Sequence, residues 1–361
     1  MLRFVFFTKT RWDEPPRLRH QLARLLACAG HEIIFCTKPR YPWQKKSLPA
    51  ASEPGLRLCQ HQELMHHRLR IFSFLRYANS YWTRRSMREI VREFAIGAND
   101  IIVNFNYEYY FLRELFTPNK LITIINDDFV SCAPVYLHRP LEHALRLTCQ
   151  SSDLVLTVSH PLLTRLSKYC TPQLFRPWAE SPYCPPAESS TRDTLLFWGF
   201  VNPRIDFKFI LDLAEHLHKN DPHLRFLLVG PVEKNVSRYA DILRSRSNVE
   251  LASATKLENL PLERVLAALI PYRRDVPSIG ACMLPNKALP LLAKGLPLLI
   301  TGMPHAIKGP FIFSLDEQPA LQVIRQVQER FEDLQPSIRD FVSQNGPEAR
   351  LEQFMNFVQL S

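Results

Sequence analysis

Glycine is scarce in this sequence, with ten among 361 residues, and no Gly-x-Gly-x-x-Gly follows any apolar run. That argues against a nicotinamide-dependent dehydrogenase, whose dinucleotide needs such a loop to bring backbone against its pyrophosphate. Cysteine occurs eight times, at 28, 36, 59, 132, 149, 170, 184 and 282, but never as Cys-x-x-Cys and never with a histidine-rich run. No metal site is expected, and the thiols read as reduced and mostly buried. No apolar run reaches the ~18–20 residues of a membrane-spanning helix, and the opening eight residues read as a first strand, too short for the apolar core of a secretion signal. The expected location is the cytoplasm. Acidic residues are outnumbered, 35 against 45 Lys and Arg, which leaves a formal charge of +10. An anionic partner follows: nucleic acid, nucleotide-sugar or an acidic membrane surface.

What the chain does have is apolar content, 46% of residues, enough for two domains of roughly 170 residues each. Strand and helix signals alternate, as doubly wound sheets require. Residues 2–8, 31–37, 101–106, 121–126 and 154–158 read as short apolar strands. Between the first two, residues 15–30 place Leu18, Leu22, Leu25, Leu26 and Cys28 at helical spacing, opening at Pro15 and closing at Gly30. Residues 38–63, rich in proline, lysine and serine, read as a long exposed loop. Residues 170–192 hold five prolines and no period, which marks a connection between domains. A second series follows, with strands at 194–200, 226–230, 248–251, 265–272 and 298–301 and an amphipathic helix at 207–219.

The richest stretch is Pro285-Asn-Lys-Ala-Leu-Pro-Leu-Leu-Ala-Lys-Gly-Leu-Pro-Leu-Leu299. Lys287 stands at the mouth of a short apolar helix, expected to begin nearer Pro290, that Gly295 ends in the left-handed conformation and Pro297 forbids to continue. Unpaired N–H groups at the helix start and the lysine charge suit a phosphate. Upstream, a buried strand ends at Tyr272, followed by Arg273, Arg274 and the small-residue loop Pro277-Ser-Ile-Gly-Ala281. This order resembles the donor-phosphate region of GT-B-fold glycosyltransferases, with Pro285, Lys287, Ala293, Gly295 and Pro297 in register with the family's run. Pro290 stands where the family usually has a ribose-binding glutamate, and Leu266 where it often has an aspartate. Leu195-Leu-Phe-Trp-Gly-Phe-Val-Asn-Pro-Arg-Ile-Asp206 resembles the strand and loop that open the family's second domain. The resemblance covers about 120 residues in order.

It implies an α/β, GT-B architecture: two Rossmann-like domains facing a cleft, over 1–178 and 179–345, with a terminal helix over 346–361 crossing back to the first. It also implies a nucleotide-sugar donor as substrate, with no cofactor and no metal, held by Lys287, Arg204, Gly199, Asn202, Ser278, Gly280 and Arg273. A glycan or lipid-linked acceptor would lie on the first domain. There, Asp127 and Asp128 end a buried strand side by side, so one faces the ligand edge while the other caps or pairs. Either acid, or His20 on the first helix, is a candidate base for an inverting transfer; as a bare residue, His20 reads as a surface histidine. The reading is a glycosyltransferase of surface-glycan synthesis, not a nucleic-acid binder, and the alternative is a non-catalytic module of the same fold. Lys38, Arg40, Lys45, Lys46, Arg68, Arg70, Arg84 and Arg85, interleaved with Trp43, Phe72, Phe74 and Trp82, predict peripheral contact with anionic membrane.

Overall fold

Most strands of the first half are apolar through their middles, with charged residues such as Arg3, Glu32 and Lys120 only at their first positions, and the fold gives the reason. In the computed structural model, which describes residues 1–360 apart from 52, 67, 68, 71, 116, 119, 189 and 190, they lie in a parallel sheet. Phe4, Val5, Phe6 and Phe7 are all fully buried, as strands covered by helices on both faces must be. The strands are β1 (Arg3–Phe7), β2 (Glu32–Cys36), β3 (Leu56–Cys59), β4 (Ile101–Asn104), β5 (Lys120–Ile125), β6 (Leu154–Thr157) and β7 (Gln173–Leu174), in the spatial order β3-β2-β1-β4-β5-β6-β7. Order reverses between β1 and β4, so loops following these two diverge and leave room for a ligand at their C-terminal ends.

This unit comprises Met1–Pro177 and Leu351–Ser361. Its second segment belongs to the terminal helix Pro347–Leu360, whose Phe354 is fully buried, 6.0 Å from the Phe4 ring and 5.6 Å from Phe175. The Lys120 ammonium donates to the Val358 carbonyl.

Trp178–Arg350 form the second unit. Its strands β8 (Thr194–Trp198), β9 (Arg225–Val229), β10 (Val249–Ala252), β11 (Val265–Pro271), β12 (Leu298–Thr301) and β13 (Ile312–Ser314) are again all parallel, ordered β10-β9-β8-β11-β12-β13. The helix Phe207–Asn220 buries Ile210, Leu213, Ala214 and Leu217, a 3- and 4-residue spacing that makes one apolar stripe. Both halves are thus Rossmann-like sheets with the same winding.

Three sequence expectations need correction. The segment read as one long loop contains β3, an edge strand of only four residues with the exposed Arg57 in its middle, so neither length nor an apolar run announces it. The thiols are less buried than expected: Cys28, Cys132 and Cys184 are exposed. The short helix after Lys287 begins at Ala288, not near Pro290. Proline fits its third position because first-turn N–H groups have no intrahelical acceptor to lose.

Candidate functional site: a carboxylate-free lysine and a polar sheet edge

In the second unit, β8 and β9 are each followed directly by a glycine, with φ +136° at Gly199 and +150° at Gly230. A Cβ on Gly230 would meet the Gly199 carbonyl oxygen at 2.0 Å, and one on Gly199 would lie 3.1 Å from the Lys287 Nζ. Glycine is therefore required twice, by backbone conformation and by close approach. Together they open the strand ends to the lysine, whose ammonium lies 4.0 Å from the Phe197 ring centroid and 5.1 Å from that of Tyr272.

No carboxylate of the described residues pairs with Lys287. Burial, reinforced by the nearby Arg204 guanidinium, lowers its pKa to about 7. The aromatic faces offset some of the desolvation but supply no counter-charge. The following helix, Ala288–Ala293, has six residues and so contributes little dipole; the positive charge of this junction is the lysine's own. Gly295 has φ +71° and ends that helix as its position requires.

Arg204 is exposed. Its backbone N–H donates to the Asn202 side-chain oxygen at 3.0 Å, which makes Asn202 a loop-shaping residue, and Asp206 caps the next helix by accepting from the Phe209 N–H at 2.9 Å. Arg273 is held bidentately by Asp275 and is therefore occupied. Ser278 and Gly280 lie in the one-turn helix Pro277–Gly280, half-buried, with open space beside the glycine Cα. Leu266 is fully buried in the core.

In the first unit the two adjacent acids separate into different tasks. Asp128 accepts from the Ser131 N–H at 3.0 Å and pairs with Arg165, which also holds Glu142 at 2.6 Å. Asp127 is exposed at the C-terminal end of β5, and its Oδ2 accepts from the Asn126 amide at 2.9 Å.

His20 is fully buried rather than at the surface. Its Nδ1 accepts from the Arg17 N–H at 3.0 Å and its Nε2 donates to the Arg11 carbonyl at 2.9 Å. The imidazole does the work usually given to the glutamate of a capping box. Burial lowers its pKa to about 4, so the ring is neutral and its one lone pair is engaged.

Sequence reading missed a buried ionic cluster at the ends of β1, β3 and β4. Lys9 lies 2.8 Å from Glu63 and 2.6 Å from Glu108. Arg70, expected at the surface, is buried, paired with Glu63 and 2.9 Å from Glu108. Tyr109 donates to Glu63 at 3.0 Å and accepts from His61 at 2.7 Å. Two cations against two anions leave the cluster balanced, which suits it to holding loops together. Arg84 is likewise tied to Glu114, and Arg68 lies outside the described residues. Lys38, Trp43, Lys45, Lys46 and Phe72 are exposed as expected, and the helix Ser73–Glu93 adds an exposed row of Phe74, Tyr77 and Tyr81 with Arg85 and Arg88.

No protein-family model and no curated protein sequence matches the chain. Solved structures do. Sucrose-phosphate synthase from Thermosynechococcus elongatus aligns over 100% of this chain and 99% of its own, with a TM-score of 0.71 at 14% identity. HepE of Anabaena, solved in complex with UDP, aligns over 100% of both chains at 0.66 and 10% identity. The lipopolysaccharide outer core galactosyltransferase WaaB aligns over 99% of both at 0.62 and 12%. The fold of this chain is GT-B, end to end.

Proposed function

We propose that this chain is a glycosyltransferase that moves a sugar from a nucleoside-diphosphate donor to a glycan or lipid-linked acceptor. The second unit would hold the donor and the first the acceptor. One observation carries the reading: a cation at the C-terminal edge of a parallel sheet, with no carboxylate, seated where two glycines let a ligand approach. A diphosphate supplies the missing charge. The UDP complex of HepE, on the same fold, supports that choice of ligand.

As the bond to the sugar breaks, negative charge grows on the departing diphosphate. Lys287 and the adjacent Arg204 would stabilise that charge directly, each worth more in a partly desolvated site than in water. A calorimetric and thermal-shift series with UDP-, GDP-, dTDP- and CMP-sugars tests the proposal. A diphosphate donor at a hundred times its Kd should add about 2.7 kcal/mol of stability. Absence of any nucleotide response would refute the reading. Binding without transfer would favour a non-catalytic module, to which Pro290 in place of an acidic ribose ligand also points.

If the transfer inverts configuration, Asp127 is the base we assign. Asp128 is spent on Arg165 and Ser131, and His20 on two backbone groups. Asp127→Asn should then lower turnover by ~10²–10⁴, the range of general-base catalysis, with donor affinity unchanged. Asp128→Asn should act on stability, costing about 1–3 kcal/mol through the loss of one of the two carboxylates that hold Arg165. NMR of the product's anomeric configuration decides between outcomes: full activity of Asp127→Asn in an inverting reaction removes the assignment.

The exposed Phe74, Tyr77 and Tyr81, flanked by Arg85 and Arg88, would dock the first unit on an anionic bilayer. No helix of the described residues is long and apolar enough to cross a membrane. Each basic residue near such a surface contributes about 1 kcal/mol at modest salt. Co-sedimentation with phosphatidylglycerol vesicles should fall sharply in Phe74→Ser/Tyr77→Ser and at high salt; equal binding to neutral vesicles would count against it.

A further inference from the structure

Buried polar atoms without partners are rare in folded proteins, and each needs a reason. In the first unit three of them gather at the C-terminal edge of three neighbouring strands. Arg19, 5% exposed, lies at the start of the helix Leu18–Cys28 that follows β1. One terminal nitrogen donates to the Thr10 hydroxyl and the guanidinium rests 5.5 Å from the Phe105 ring, yet its Nε–H has no acceptor. Asn106, 8% exposed and next to Phe105 beyond β4, uses its oxygen on the Glu108 N–H at 3.0 Å, while its Nδ2 has no partner. Asn126, beyond β5, has an unpartnered Oδ1.

The arginine is the decisive member. None of the described carboxylates forms an ion pair with it; Asp127 and Glu14 are close enough to be felt electrostatically, as is the repelling Arg17. The other buried arginine of this unit, Arg70, is paired with both Glu63 and Glu108. A buried cation without its anion is strongly unfavourable, so its retention at a sheet edge suited to ligands calls for a charge from outside.

We infer that the acceptor sugar carries an oxyanion, a phosphate or a carboxylate, that binds Arg19 and Asn106 as donors, while Asn126 accepts from a neighbouring sugar hydroxyl. This rests on the glycosyltransferase reading for the word acceptor, but the binding itself does not. The Nε–H and a terminal N–H of one guanidinium form the fork that pairs with two oxygens of one anion, and a lysine cannot reproduce it.

The test uses the full chain carrying Lys287→Met, so that anion binding at the donor site is weakened. Inorganic phosphate, glucose 6-phosphate, glucuronate and glucose are titrated against it, followed by melting temperature and by the NMR signal of the arginine Nε–H. A saturable response to glucose 6-phosphate or glucuronate, but not to glucose, is expected, and the tighter of the two tells phosphate from carboxylate. Arg19→Gln in the same background should lose at least tenfold in that affinity. Arg19→Met, similar in length and uncharged, should melt no lower than its parent without ligand. Absence of a saturable anion response, a response that survives Arg19→Gln, or a marked fall in the melting temperature of Arg19→Met would each overturn the inference. Since no nucleotide takes part, Arg19-dependent anion binding in a protein that ignores every nucleotide-sugar would refute the glycosyltransferase reading alone.

Discussion

Lys287→Met should leave a folded protein that melts higher than the wild type without ligand and has lost its hold on nucleoside diphosphates. Nucleotide binding should weaken by about 1.5–3 kcal/mol, the range for a charge-assisted contact. Turnover should drop by ~10²–10³, the usual consequence of removing one group that stabilises charge in the transition state. The opposite signs come from one cause. The ammonium is desolvated and repelled by Arg204 with no carboxylate in compensation, so its folded pKa is about 7 against an ordinary 10.5. Between those values the unfolded chain holds a proton that the folded chain lacks. Stability from this group therefore rises with pH from about 7 to 10.5, and that slope should vanish in the methionine variant.

Ligand binding should run the other way. A bound diphosphate raises the lysine pKa, so binding above pH 7 takes up a proton, and affinity falls by up to about tenfold per pH unit until the complex itself deprotonates. Calorimetry at pH 8 in two buffers of different ionisation enthalpy would reveal the uptake. Equal nucleotide affinity in a folded Lys287→Met protein, or binding without proton uptake, removes Lys287 from the donor site.

How much of this was legible beforehand depends on whether the signal is local. Strands buried on both faces must be apolar throughout, so β1 and β11 stood out. Gly295 and Pro297 punctuate a helix end through backbone geometry that one residue dictates, and the sequence therefore shows it. β3 and β13, with four and three residues at or near sheet edges, carry too few positions to make a pattern. The burial of His20 was unreadable for another reason. The loop after β1 folds back and sets Trp12 edge-on against the imidazole at 5.4 Å, a contact that no helical periodicity encodes. Charges were hardest: Arg70 looks like a surface residue until Glu63 and Glu108, the latter 38 positions away, are seen beside it. Lys287 was found because glycine and proline frame it; Arg19 lacks such a frame, and its missing partner is what the structure adds.

The first unit should unfold in mild acid, well before its carboxylates titrate. His20 and His61 are both fully buried and neutral, and burial lowers each to about 4 from an ordinary 6.5. Around His20, Arg19 and Arg24 reinforce the shift and Glu14 and the Arg11 carbonyl oppose it; around His61, Lys9 reinforces it and Glu63 opposes it. A lowered histidine means the unfolded chain binds the proton first, so stability is complete above about pH 6.5 and drains away as pH falls toward 4. Each histidine should remove on the order of 2–3 kcal/mol across that window, at about 1.4 kcal/mol per pKa unit. Set against a typical total of about 5–15 kcal/mol, the pair is enough to bring the unit near its midpoint. Glu63, held at about 2 by Lys9 and Arg70 despite its burial, stays charged through the window, and its own contribution is lost only as pH falls below about 4.5. Urea unfolding at intervals from pH 7.5 to 4.5 would display the slope. His20→Gln keeps a side-chain acceptor for the Arg17 N–H and a donor for the Arg11 carbonyl, and with His61→Gln it should flatten the curve while leaving stability at pH 7.5 within ~1–2 kcal/mol of wild type. A double variant that folds and keeps the full acid slope would show that other groups drive the transition.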